Sequence, residues 1–336
     1  MDVYIYDQGT HISCINNLFV IKRNTESTAR LPLHMVESIS MFGNVQMTTQ
    51  AINTCLSEDI PILYYSYGGH YNGKISSEDV MRSDVVINQC KFLDNSAERL
   101  SFDKSIIKAK INNQLTVLRR YDRTHNFSEK SDCPNYEAML KSMKNRLMRA
   151  EKQSEIMGIE GISGKIYFKA LGSLFSESRF TFKGRNKRPP KDPFNAALSM
   201  GYTFLLNILT ARISSEGLVA EIGMLHSNGY NRPALSCDLM EEWRQPIVDS
   251  TVIGMLLGNE LLPVDFDFLE NAVYLGKNGI RKLINKLHGK MQSKCQYIHG
   301  AERKLTFYEA VAHQIHSFRF MVKNQHSSDY QPIVLR

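Results

Sequence analysis

The chain is poor in the features that most often announce a chemistry. Of 336 residues six are cysteine: Cys14, Cys55, Cys90, Cys133, Cys237 and Cys295. No two form a Cys-x-x-Cys pair, which excludes a zinc ribbon and a redox dithiol. A chain of this length needs no disulfide staples, so scattered thiols fit a reducing cytoplasm. No Gly-x-Gly-x-x-Gly fingerprint, Walker A loop or Gly-x-Ser-x-Gly elbow occurs, so dinucleotide binding, P-loop phosphoryl transfer and acyl transfer have no support. The first residues, MDVYIYDQGTHISC, lack a basic region followed by an apolar one and so do not read as a signal peptide. No run of eighteen apolar residues predicts a membrane span. There is no internal repeat and no low-complexity tract.

What is present is positive charge, and it is clustered. Formal net charge is +7 and the pI is about 9.0, a balance that favours a polyanionic partner. Residues 179–191, RFTFKGRNKRPPK, hold six Lys or Arg and no acid. They are Arg179, Lys183, Arg185, Lys187, Arg188 and Lys191, with Phe180 and Phe182 interleaved. Arginine contacts phosphate bidentately and lysine acts as a point charge. More positive charge lies at Lys108, Lys110, Arg119, Arg120 and Arg123, and at Lys141, Lys144, Arg146 and Arg149. Several positive faces suit a long duplex better than a small phosphate.

Periodicity divides the chain near residue 78. Before it, short β-branched and aromatic runs at 3–6, 12–15, 18–23, 36–42 and 60–65 alternate with turn residues, including Gly68-Gly69. One helix is predicted over 48–56, with Thr48 or Thr49 as its N-cap. After it, helical spacing dominates: 86–118, 136–150, 162–175, 195–214, 248–257 and 279–291, with a polar loop over 122–134 and a proline-rich basic loop over 184–193. The expected class is α+β: an N-terminal β-sandwich domain (1–78), then a mainly α-helical catalytic domain (79–336).

Three short stretches in the second half can carry chemistry: residues 158–161 (GIEG), 224–228 (MLHSN) and 236–241 (SCDLME). A carboxylate, an imidazole and a carboxylate together can hold a hard or borderline divalent cation. Each residue also has a plain structural reading. Glu160 suits the start of a helix. His226, after Ile222, Met224 and Leu225, suits a boundary position. Asp238 and Glu241 share a helix face and resemble a capping box, with Glu242 also one turn from Asp238. His313 and His316 form a rival pair at helical spacing, without the glutamate of an HExxH motif.

In order and combination these stretches resemble the CRISPR-associated protein one family, the integrase subunit that installs new spacers. The likeness runs over nearly the whole chain: residues 41–48, 60–65 and Gly68-Gly69; residues 158–161 with Tyr167; 188–195 on to Ser199, Gly201 and Tyr202; His226; and 236–241 with Arg244, Pro246 and Asp249. The resemblance implies metal ligands at Glu160, His226 and Glu241, with Asp238 a supporting member of the catalytic set. Glutamate at 241 is one of two acids that the family uses there. It implies a Mg²⁺ or Mn²⁺ ion, a homodimer built through the N-terminal domain, and a second small CRISPR-associated protein bridging two dimers in a prokaryotic cytoplasm. The implied reaction on double-stranded DNA is attack of a spacer 3′-hydroxyl on a repeat-edge phosphodiester, with Arg185, Lys187, Arg188 and Lys191 as DNA-binding candidates. A stand-alone metal-dependent nuclease of DNA repair or RNA processing explains the same residues, as does a non-catalytic DNA-binding scaffold.

Overall fold

The computed structural model describes residues 2–23, 26–66, 71–77, 82–127, 135–175, 178–186, 189–227, 232–295 and 304–334. The chain separates into two compact units, Met1–Val80 and Met81–Arg336. Expected features at Gly68-Gly69, most of the 122–134 loop, Lys187, Arg188 and Asn228 lie outside the described residues.

The N-terminal unit is built on two four-stranded sheets. Its strands are β1 (Asp2–Ile5), β2 (Thr10–Ile15), β3 (Leu18–Arg23), β4 (Glu26–Pro32), β5 (Ser38–Phe42), β6 (Val45–Met47), β7 (Ile62–Tyr65) and β8 (Tyr71–Ile75). One sheet runs β1-β5-β7-β8 and the other β4-β3-β2-β6. The β2–β3 turn is made by Asn16 and Asn17 at φ 50 and 58; two successive left-handed residues give the backbone twist that a two-residue hairpin needs. Helix α1 (Thr49–Ser57) is capped by Thr48, whose hydroxyl accepts from the Ala51 amide at 3.2 Å. Ile12, Phe19 and Ile21 of one sheet share a core with Val3, Ile5, Ile39, Met41 and Ile62 of the other, and with Ala51 and Cys55 of α1. Two sheets closing on one apolar layer make the sandwich that the short alternating runs predict. Strands β4 and β6 were not foreseen, because Glu26–Pro32 is polar and Val45–Met47 very short.

The second unit is mainly helical: α2 (Ser83–Asp94), α3 (Ser96–His125), α4 (Tyr136–Met148), α5 (Gln153–Leu174), α6 (Pro193–Ser215), α7 (Ala234–Met240), α8 (Ser250–Leu257), α9 (Lys277–Gln292) and α10 (Phe307–Asn324), with the antiparallel pair β9 (Phe266–Leu269) and β10 (Ala272–Leu275) before α9 and the short antiparallel pair β11 (Lys294–Cys295) and β12 (Leu305–Thr306) after it. The single helix expected over 86–118 is two. Asn95 breaks it with a non-helical backbone, and its side chain accepts from the Glu98 amide to start α3. That helix then runs through the start of the predicted 122–134 loop, to a left-handed Asn126 at φ 46. Helix α5 begins at Gln153 rather than near 162. Gly158, Gly161 and Gly164 blur its pattern, but Ile156, Ile159, Ser163, Ile166 and Tyr167 still make a buried stripe. Helix α6 is long and apolar enough to cross a membrane, yet 61% of its apolar window is buried inside the protein. It is a core helix, capped by Asp192, which accepts from the Asn195 amide at 2.8 Å, and opened by Pro193.

The shared core sets a stability test for the sandwich. Ile62 is fully buried, whereas Ile15 is 53% exposed. Ile62→Ala should cost about 2–5 kcal/mol in urea unfolding, and Ile15→Ala no more than about 0.5 kcal/mol. Equal losses would mean that the two sheets do not close over Ile62.

Candidate active site

The site begins on the long helix α3. Lys110 falls on its inward stripe with Asp103, Ile106, Asn113, Gln114 and Val117. Lysine is rarely interior without partners, and here two glutamates supply them. The Lys110 ammonium hydrogen-bonds Glu160 of α5 and lies 2.6 Å from Oε2 of Glu241, at the end of α7. Among the described residues that buried oxygen has no partner besides this ammonium. Arg244 holds the other oxygen of Glu241 at 3.0 Å. Two negative and two positive charges therefore close one small circuit. Burial opposes the charge on Lys110, but Glu241 and Glu160 outweigh it and raise its pKa. Burial likewise pushes Glu241 up; Arg244, then Lys110 and His226, overcome this and bring it down to about 2. Glu160 is the half-buried member of the circuit. A Cβ added at Gly161 or Gly164, next to it on α5, would meet nothing within 4 Å.

His226 is held by a separate network. Asp238 accepts from the backbone amides of Met224, Leu225 and His226 at 2.6, 3.0 and 2.9 Å, and its Oδ1 is 2.6 Å from His226 Nδ1. A carboxylate can only accept, so Nδ1 carries a proton and Nε2 is the ring nitrogen not committed to Asp238. The carbonyls of the same turn are held from the other side. Arg99 donates to Met224 O at 2.7 Å, and Gln153 to Met224 O and Leu225 O at 2.5 and 3.1 Å. Gln153 also donates to Asp103, at 3.2 Å. Gly223 packs so tightly that an added Cβ would sit 2.6 Å from Ala234 Cβ and 3.0 Å from Asp238 Oδ2.

Behind Glu241 the chain takes a π-helical turn over Arg244–Asp249. Pro246, which has no amide proton, interrupts the α ladder there. The turn aims Arg244 over the ring of Tyr202 at 4.8 Å and buries Asp249, which accepts from Tyr202 and Tyr167 hydroxyls at 2.6 and 2.9 Å. Burial pushes Asp249 up to about 6, against those two hydrogen bonds and the nearby Arg244 and Arg185.

Glu160, His226, Asp238 and Glu241 come into one neighbourhood. Glu160 sits within α5 rather than at a helix start, and Asp238 caps no helix but ties down the His226 turn. Arg185 does not stand out from its loop: it turns inward, donating to Asn195 Oδ1 at 2.7 Å and Ser199 Oγ at 3.1 Å, with its guanidinium 5.5 Å from the Tyr202 ring centre. Phe180 and Phe182 are buried core rings, whereas Arg179, Lys183 and Lys191 are exposed. Arg119 and Lys141, expected on a positive face, both pair with Glu137. His313 is exposed, and His316 leans on Glu216 at 3.7 Å rather than on a metal partner. From sequence alone Lys110 reads as surface charge. The signal against that was its place on the apolar stripe with Ile106 and Val117.

The donor chemistry suits a divalent cation. Two carboxylates from different helices meet at one ammonium, one buried Glu241 oxygen has no partner among the described residues but that ammonium, and an imidazole fixed by a carboxylate keeps its other nitrogen off Asp238. Among the described residues no three His, Cys, Asp or Glu side chains already stand as a ready-made metal site. What joins the carboxylates is the ammonium of Lys110.

Asp103 offers a test of the His226 support. Burial, then the neighbouring Asp238, push it up to about 7, against Arg99, Gln153 and His226. The folded state thus keeps a proton that the unfolded chain releases near pH 4. Stability from this group is full below that pH and falls up to pH 7, by at most about 1.4 kcal/mol per pH unit. Asp103→Asn should flatten the fall of Tm between pH 4 and 7 relative to wild type. An unchanged profile would show that Asp103 is ionised in the folded protein throughout that range.

A family model described as CRISPR associated protein Cas1 matches residues 3–289. The CRISPR-associated endonuclease Cas1 of Mycobacterium tuberculosis (strain ATCC 25618 / H37Rv) is 29% identical over 333 residues, covering 98% of this chain and 96% of the relative. A casposase bound to integration product shares the fold with a TM-score of 0.84 at 19% identity, over 96% of this chain and 91% of that one. A chain of a Cas6-RT-Cas1–Cas2 complex also has a TM-score of 0.84, at 23% identity, over 99% of this chain; this chain spans 36% of that longer one. With the family model matched over most of its length, the protein belongs to the CRISPR-associated Cas1 family.

Proposed function

We propose that the protein is a divalent-cation-dependent DNA endonuclease and integrase that inserts spacer DNA at the edge of a CRISPR repeat. The observation that carries this reading is the convergence of Glu160 and Glu241, from separate helices, on a single cation beside His226. Glu160, Glu241 and His226 Nε2 are the ligands we assign, with Mg²⁺ suited to the carboxylates and Mn²⁺ equally to the imidazole. When bound, such an ion polarises a phosphoryl oxygen and stabilises charge on the attacking and leaving oxygens. The chain's own residues do the rest. Asp238 orients His226 and fixes which ring nitrogen bears the proton. Arg244, braced on Tyr202, holds Glu241 and adds positive charge where a phosphate would lie. Half-buried Glu160, beside the bare glycine face of α5, leaves the site open to a strand. Arg179, Lys183 and Lys191 are exposed near the start of α6, where DNA backbone could be tracked; Arg185 acts from inside. The relatives' name, endonuclease, supports cutting of DNA, the integration product held by the casposase supports joining, and the Cas1–Cas2 complex supports assembly with a second CRISPR-associated protein; in our reading that protein is small and bridges two homodimers formed through the β-sandwich.

No protein nucleophile is needed, because the spacer 3′-hydroxyl attacks. Water in its place would give hydrolysis at the same residues, and a stand-alone nuclease would show hydrolysis only. Glu160→Ala, His226→Ala and Glu241→Ala should each lower joining of a 3′-hydroxyl oligonucleotide into a repeat-bearing plasmid by about 10³-fold or more in protein that circular dichroism shows to be folded, Glu241→Ala with a lowered Tm because Lys110 and Arg244 lose their shared partner. Asp238→Asn should retain measurable joining, with a loss of about 10–100-fold. Near wild-type joining by any folded alanine variant would remove that residue from the ligand set. Plasmid nicking without joining in the wild type, with the small partner present, would favour the nuclease.

A further inference from the structure

Lys110 has a role that a plain metal site does not require. Its ammonium is buried on α3, bonded to Glu160 and 2.6 Å from the otherwise donorless Oε2 of Glu241. We infer that Lys110 is a built-in counter-cation: it holds the two glutamates together where a divalent ion binds, and it gives way when that ion arrives. The inference rests on the proposed metal reading and extends it to this chain's own charge.

Two comparisons support the assignment. Arg244 also pairs with Glu241, but its guanidinium is stacked on Tyr202 and bonds the other oxygen, Oε1. It is a fixed fork that can stay in place. Lys110 is a point charge on a flexible four-carbon stem, the kind of group that can withdraw. Charge points the same way. Glu160, Glu241, Lys110 and Arg244 sum to zero, so a divalent ion added beside the ammonium would leave two excess positive charges in the interior, whereas one that replaces the ammonium leaves one and still pairs both carboxylates. A monovalent ion brings no more charge than Lys110 already supplies. The arrangement therefore discriminates against sodium and potassium without any size filter. It also spares Glu160 and Glu241 mutual repulsion before metal binds.

The test uses the full chain and Mn²⁺ alone. In EDTA, Lys110→Met should melt several degrees below wild type, because two buried carboxylates are left with Arg244 only. Calorimetric titration should show Mn²⁺ binding to Lys110→Met roughly tenfold or more tighter than to wild type, and Mn²⁺ should restore more of its Tm. Lys110→Arg should bind Mn²⁺ no more tightly than wild type. Should Lys110→Met not fold, amine labelling of the wild type read by mass spectrometry decides: Mn²⁺ should raise labelling of Lys110 severalfold over EDTA. Unchanged or weaker Mn²⁺ affinity in a folded Lys110→Met, or labelling that Mn²⁺ leaves unchanged, overturns the counter-cation role while the metal site stands. Mn²⁺ binding to neither wild type nor Lys110→Met overturns both.

Discussion

The constraint that organises the helical unit is the pairing of buried charge. Glu241 is interior, and an interior carboxylate without compensation would unfold its surroundings or take up a proton. Lys110 and Arg244 prevent both. To do so they must arrive from different directions, one from α3 and one from a π turn forced by Pro246. Glu160 then completes the balance from α5. Three helices and a deformed turn are thus fixed relative to one another by four charges rather than by shape alone. That fixity is what a site for phosphoryl chemistry needs, since catalysis there is mostly positioning and electrostatics.

A second layer works through hydrogen bonds to backbone. Asp238 gathers three consecutive amides and the His226 ring, while Arg99 and Gln153 hold the opposite carbonyls. A loop would otherwise be a poor platform for a ligand. Here it has the definition of a helix, and α3 supports it as well as Lys110. The far end of the unit is tied in too. Glu242, next to Glu241, accepts from Ile333 N, Tyr330 Oη and Gln314 Nε2 at 2.7, 2.8 and 3.0 Å. Residues 314, 330 and 333 lie beyond the span matched by the family model, so this chain braces its site with a segment outside that match.

Much of the architecture was legible because periodicity reports burial. The short β-branched and aromatic runs at 12–15 and 18–23 mark strands β2 and β3, though not their pairing, and the apolar run at 195–214 marks α6. Misses came where one residue overrode a pattern. Asn95 split a helix whose apolar spacing ran on, and three glycines hid the first turns of α5. The site was legible as a set of residue types but not as a set of contacts. Glu160, His226, Asp238 and Glu241 could be named from their stretches and a family likeness. Nothing in spacing said that Asp238 would serve His226 rather than a helix end. Lys110 and Arg185 were misread for one reason: a basic residue in a basic sequence looks solvated, and only three-dimensional packing shows that its charge is committed inside.

A crystal of the full chain soaked in Mn²⁺ and measured at the manganese edge tests the central claim most directly. The account predicts one anomalous peak within about 2.0–2.3 Å of Glu160, Glu241 and His226 Nε2, with Arg244 still on Tyr202 and the Lys110 ammonium drawn away from both glutamates. A peak elsewhere, or Lys110 still bridging the two glutamates beside the metal, would contradict it.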